Sequence, residues 1–91
     1  MSYKIEYTGK IAKDIKLAQK RGLDISLFKD AVKILEEKGA LPAKYKPHKL
    51  SGNFKECWEC HIQPDWLLIW KQDEVIQLIS LIRTGTHSDL F

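Results

Sequence analysis

Three histidines lie in the C-terminal half of this chain, and imidazole is the side chain that exchanges a proton near neutral pH without a strongly perturbing environment. His48 sits in Tyr45-Lys46-Pro47-His48-Lys49, His61 in Glu59-Cys60-His61-Ile62-Gln63-Pro64-Asp65-Trp66, and His87 in Arg83-Thr84-Gly85-Thr86-His87-Ser88-Asp89-Leu90-Phe91. A small basic protein that gathers such rings beside a carboxylate such as Asp65 can do acid–base chemistry on a polyanion. The question is whether the chain brings them together.

The elements that would position them read as follows. Tyr3, Ile5 and Tyr7 alternate with Lys4 and Glu6, the pattern of a half-buried strand. From Lys10, Ile11, Ile15 and Ala18 recur at helical spacing, with Lys10, Lys13, Lys16 and Lys20 on the outer positions, and Gly22 ends the helix. Asp24 or Ser26 caps a second helix with the stripe Leu27, Phe28, Ala31, Val32, Leu35, closed by Gly39, so the two helices form a hairpin. The Lys- and Pro-rich stretch from Leu41 to Gly52 has no periodicity and reads as loop.

Three strands complete the chain. Cys57 to Ile62 alternates Trp58, Cys60 and Ile62 against Cys57, Glu59 and His61, which puts His61 on the polar side. Trp66 to Trp70 is continuously apolar, as in a strand covered on both faces. Lys71 to Glu74 reads as a hairpin turn, and Val75 to Arg83 as the last and longest strand. The order β-α-α-β-β-β predicts an α+β domain spanning residues 1–91, with the helix pair on one face of a mainly antiparallel four-stranded sheet. Pro64-Asp65 turns the chain just after His61, and the Gly-Thr tail can fold His87 and Phe91 back toward it.

Composition narrows the partners. The formal net charge is only +3, but residues 1–50 hold twelve Lys/Arg against six Asp/Glu, whereas residues 51–91 hold three against six. A basic half suits an anionic partner, nucleic acid first, although lysine-rich helix faces are also ordinary solvated surface. No apolar run approaches the roughly 18 residues of a membrane span, and the N-terminal residues have no apolar core of a signal peptide. The cytoplasm is the expected compartment, with Cys57 and Cys60 as reduced thiols.

Cys57-Trp58-Glu59-Cys60-His61 matches the C-x-x-C-H signature of covalent haem attachment. The context opposes it: there is no export signal, the only methionine is Met1, and the segment has strand periodicity. A thioredoxin-like pair or a zinc site from both cysteines and two histidines is the lesser alternative, and Cys60 reads as a small core residue.

Several of these segments together resemble a known family. His61, Pro64-Asp65-Trp66-Leu67-Leu68-Ile69 and the terminal Arg-Thr-Gly-Thr-His-Ser-Asp-Leu-Phe are similar to the YafQ group of RelE-type bacterial toxins. Lys16-Leu17-Ala18-Gln19-Lys20-Arg21 and Tyr45 to Gly52 match as well, so the likeness runs nearly end to end. The resemblance implies the RelE fold and a type II toxin–antitoxin ribonuclease that cuts mRNA in the ribosomal A site, held in check by a cognate antitoxin. It implies that His48, His61, Asp65 and His87 form the catalytic set, supported by Trp66 and Phe91, with no cofactor or metal. Position 58, commonly arginine in the family, is Trp58 here. A phosphate contact would therefore fall to Arg83 or Lys55, or Trp58 would stack on RNA.

RNA cleavage of this kind needs a base for the 2′-hydroxyl proton, an acid for the 5′-oxygen and cations on the phosphate. It yields a 2′,3′-cyclic phosphate (or its 3′-phosphate) and a 5′-hydroxyl. His87 is the expected acid, His48 or His61 the base, and Asp65 orients an imidazole. Arg83 could instead be a strand-end charge paired with a carboxylate. Phe91 would stack a base, and Trp66 is core first and orienting second. Lys10, Lys13, Lys16 and Lys20 suit the 16S ribosomal RNA backbone, while Lys44, Lys46 and Lys49 flank His48. The competing readings are a non-enzymatic inhibitor on the same scaffold, as in ParE-type gyrase poisons, and a plain RNA- or metal-binding module.

Overall fold

A computed structural model describes residues 2–91, and Met1 lies outside them. Strand β1 (Lys4–Tyr7) leads into helices α1 (Gly9–Lys20) and α2 (Ile25–Lys38), followed by β2 (His48–Lys49), β3 (Cys57–Gln63), β4 (Trp66–Asp73), β5 (Leu78–Gly85) and a short terminal helix α3 (His87–Leu90). The helices start and stop where side-chain chemistry dictates. The Asp24 carboxylate accepts the Ser26 N–H at 3.0 Å to open α2. Gly39 closes it at φ 67°, where a side chain would also collide with the Tyr3 ring.

The strands form one sheet in the order β1-β5-β4-β3-β2. β1 runs parallel to β5, and the remaining pairs are antiparallel. β4 is central, and its continuous apolar run divides between two faces. Trp66, Leu68 and Trp70 join Ile11, Ala18, Phe28 and Leu35 of the helices in the main core. Leu67 and Ile69 face the other way, into a smaller cluster with Cys57 and Leu90 that Leu50 and Phe54 help to cover. A strand buried on both faces has no polar alternation to show, as its sequence suggests.

Two expectations need correction. The sheet has five strands, because His48–Lys49 pairs with Trp58–Glu59 inside the stretch read as loop. Two residues are too few to show any periodicity. The β4–β5 turn also lies later: Lys71 to Asp73 still belong to β4, and β5 starts at Leu78 rather than Val75. The Asp73 carboxylate accepts the N–H groups of Val75 and Ile76 at 2.9 and 3.2 Å, which bends the chain there. Val75 and Ile76 are left 92% and 65% exposed, so two apolar side chains that mimic the start of a strand form the tip of a turn.

Candidate active site

Three strands, one turn and the tail bring the histidines to the sheet face opposite α1 and α2. His61 pairs across β3–β4 with Leu67, and Glu59 pairs with Ile69 on one side and His48 on the other. Opposed residues share a face, so His48, Glu59 and His61 all lie on the side of the smaller core cluster. A register shift between His61 and Gln63 breaks the β3–β4 ladder beside the ring. Such an irregularity re-aims a side chain at the end of a strand.

The rings stand in a row. The centroids of His48 and His61 are 6.4 Å apart, and those of His61 and His87 are 5.9 Å apart. Each ring has its own anchor. His61 Nδ1 lies 3.2 Å from the Pro64 carbonyl oxygen, which can only accept, so Nδ1 carries the hydrogen and, in the neutral ring, Nε2 keeps the lone pair. His87 Nδ1–H donates to Asp65 Oδ1 at 2.6 Å, and its backbone N–H donates to the same oxygen at 3.0 Å. These N–H groups, backbone first and ring second, hold the Asp65 carboxyl below the usual carboxylate range. His48 Nδ1 lies 3.0 Å from the Lys46 carbonyl oxygen, and its Nε2 lies 3.1 Å from Glu59 Oε1.

The tail that carries His87 is itself fastened. Thr86 and Asp89 form a reciprocal cap around α3, and Arg21 at the end of α1 donates to both Asp89 oxygens at 2.6 and 3.1 Å. Arg21 first, and the Thr86 N–H next, hold the Asp89 carboxyl well below the usual range. Trp66, 2% exposed, donates its indole N–H to Thr84 Oγ1 at 2.9 Å, and that hydroxyl donates to the Leu67 carbonyl at 2.6 Å. Trp66 thus locks β4 to β5 immediately after Asp65.

Other residues singled out in the sequence lie beside this row or, on α1, across the sheet from it. Phe91 is 65% exposed and sits edge-on to Phe54 at 5.5 Å, so its outer face is free. Lys44 and Lys46 line an open cleft of about 260 Å³ with His61, Gln63 and Pro64, giving that cleft basic walls. Lys55 follows a single helical turn at Gly52–Phe54 and is exposed. Lys10, Lys13, Lys16 and Lys20 are all exposed along α1.

Four side chains stand elsewhere. The Arg83 Nε and Nη2 donate to the Asp14 carboxylate at 2.6 and 3.1 Å, which occupies one edge of its guanidinium in a contact to α1. Trp58 lies on the helix side of the sheet, stacked on Trp70 at 6.2 Å with Lys49 Nζ 5.7 Å from its ring. It is on the face opposite the histidines, which removes the expectation that it stacks on RNA beside them. Cys57 and Cys60 belong to the two different core clusters, so the haem-like motif points its thiols to opposite faces of the sheet. Burial pushes the Cys60 thiol up to about 12. Among the described residues no group of three or more His, Cys, Asp or Glu could hold a metal ion.

Glu59 escaped the sequence reading as a functional residue. The available signal was its position two residues before His61, which places both on one face; its burial depends on the loop and tail that cover that face. Asp14 and the Arg21–Asp89 pair, 68 residues apart, left no local signal.

The fold is that of small bacterial toxins. A crystal structure of a YafQ mutant from E. coli superposes with a TM-score of 0.91 at 42% identity, covering 98% of each chain. The E. coli DinJ–YafQ toxin–antitoxin complex matches with a TM-score of 0.89 at 42% identity, covering 100% of this chain and 99% of that one. The mRNA interferase toxin YafQ of Escherichia coli (strain K12) is 44% identical over 88 residues, spanning 96% of this chain and 94% of the relative. The profile of the bacterial toxin of type II toxin–antitoxin systems, YafQ, matches residues 3–91, and the chain belongs to that family.

Proposed function

We propose that this chain, a single toxin domain over residues 1–91, is a ribosome-dependent endoribonuclease of a type II toxin–antitoxin system. It cuts mRNA in the A site by acid–base chemistry in the cytoplasm and is silenced by a cognate antitoxin. The mRNA interferase name of the 44%-identical E. coli relative and the antitoxin complex of a 42%-identical neighbour support the assignment. The observation that carries the chemistry is the histidine row, with Asp65 fastened to His87 at one end.

In this reading His61 is the general base, because its Nδ1–H is spent on the Pro64 carbonyl and its Nε2 lone pair is open. It takes the 2′-hydroxyl proton, and the oxygen attacks the adjacent phosphorus. The bond to the 5′-oxygen then breaks. His87 protonates that leaving oxygen from Nε2, while Asp65 fixes the ring through Nδ1 and stabilises its charged form. His48 stands beside the base, and Lys46 lies in the cleft at His61. Phe91 offers an exposed ring for stacking a base and Lys55 adds positive charge along the approach, whereas Lys49 lies against Trp58 on the opposite face. Lys10, Lys13, Lys16 and Lys20 meet the 16S ribosomal RNA backbone. Arg83, tied to Asp14, serves the site by bracing β5 against α1.

Purified chain incubated with ribosomes holding a defined mRNA tests this reading. Cleavage within the A-site codon should leave a 2′,3′-cyclic phosphate or 3′-phosphate and a 5′-hydroxyl. Intact message at saturating protein would exclude it.

A further inference from the structure

Glu59 occupies a costly place for a carboxylate. It is 5% exposed in the middle of β3, and its Oε2 is buried without a hydrogen-bond partner among the described residues. Its other oxygen, Oε1, lies 3.1 Å from His48 Nε2. A buried polar atom left unsatisfied calls for an explanation, since an uncharged side chain of similar size would avoid most of the desolvation cost.

The surroundings of His48 supply one. Both ring nitrogens face oxygen acceptors: the Lys46 carbonyl at Nδ1, 3.0 Å away, and Glu59 at Nε2. The carbonyl can only accept, so Nδ1 carries a hydrogen. The 3.1 Å approach of Glu59 Oε1 to Nε2 is attractive when that nitrogen carries a second proton. His48 is therefore unlike His61, whose Nε2 is open. Lys46 adopts a left-handed conformation, φ 51°, two residues before the ring its carbonyl meets.

We propose that Glu59 is a positioning residue of the catalytic site, holding His48 by Nε2 as a proton-carrying ring beside His61. The inference rests on the endoribonuclease reading and deepens it. His48 supplies positive charge toward the phosphate, and the open base is left to His61 alone. Glu59 touches no substrate; it acts only through His48.

The test combines Glu59→Gln, His48→Gln and the double variant in three measurements. These are histidine ring ¹⁵N spectra at neutral pH, thermal melting, and single-turnover cleavage of ribosome-bound mRNA. Glutamine keeps the shape and removes the charge. In Glu59→Gln the His48 signals should change from the two-proton to the one-proton pattern, while those of His61 and His87 hold. Melting should stay level or rise, and the cleavage step should slow about tenfold or more with little change in the concentration for half-maximal rate. The double variant should be no slower than His48→Gln alone. Unchanged His48 signals in Glu59→Gln, or losses that multiply in the double variant, would overturn the proposal. If the unmutated chain cuts no ribosome-bound message, the nuclease reading itself fails, whereas a fully active Glu59→Gln beside an active parent overturns the positioning role alone.

Discussion

Asp65 Oδ1 accepts two hydrogen bonds from one residue, the ring Nδ1–H of His87 at 2.6 Å and its backbone N–H at 3.0 Å. The single oxygen fixes both where the imidazole sits and how it is turned, with Nε2 directed away from the anchor. The contact also joins the β3–β4 turn to the tail, two places 22 residues apart.

Asp65→Asn separates these duties. An amide oxygen can still accept from the backbone N–H, but it no longer stabilises a charged ring. Single-turnover cleavage of ribosome-bound mRNA should slow about a hundredfold, while binding to the ribosome holds. Because His87 keeps the Asp65 carboxyl below its usual range, the carboxylate stays charged through neutral pH. The activity of the parent should therefore not fall through Asp65 until the pH drops below about 4.

The Arg21–Asp89 clasp sets the acid stability of the tail. The Asp89 carboxyl is depressed in the folded chain, so its contribution is fully present above the unfolded value near pH 3.9 and is lost as the pH falls toward the folded one. Asp89→Asn should lower the melting temperature at neutral pH, and the gap from the parent should close below about pH 4. Melting curves across that range read the gap directly. A gap that widens on acidification would contradict the assignment.

The exposed lysines of α1 are expected to bind and not to catalyse. Replacing Lys13 and Lys16 with alanine should weaken ribosome association and reduce the slope of log affinity against log salt by about one per lysine removed. Cleavage at saturating protein should be unchanged.

Much of this arrangement was legible in the residues, for identifiable reasons. Periodicity placed both helices and β3, and the unbroken apolar run of β4 anticipated a strand covered on two faces. The placing of Asp65 just beyond His61 followed from the Pro64-Asp65 turn, although its partner in the structure is His87. What stayed hidden depends on contacts made far along the chain. β2 exists only because Trp58 and Glu59 lie opposite it, and the β4–β5 turn is set by one carboxylate under two apolar side chains. Arg83 offered two partners in the sequence, and packing of α1 against β5 brings Asp14 to it. Glu59 looked like surface because a strand alternates, yet the face it occupies is roofed by Leu50, Phe54 and Leu90.

The measurement closest to the central claim is induced expression of the chain, of His87→Ala and of His61→Ala at equal protein level, with RNA 5′-ends mapped on translated messages. The account predicts growth arrest with codon-phased cuts for the parent and loss of both in each variant. Arrest that persists in the variants without new RNA ends would mean a non-enzymatic inhibitor on this scaffold, and would contradict it.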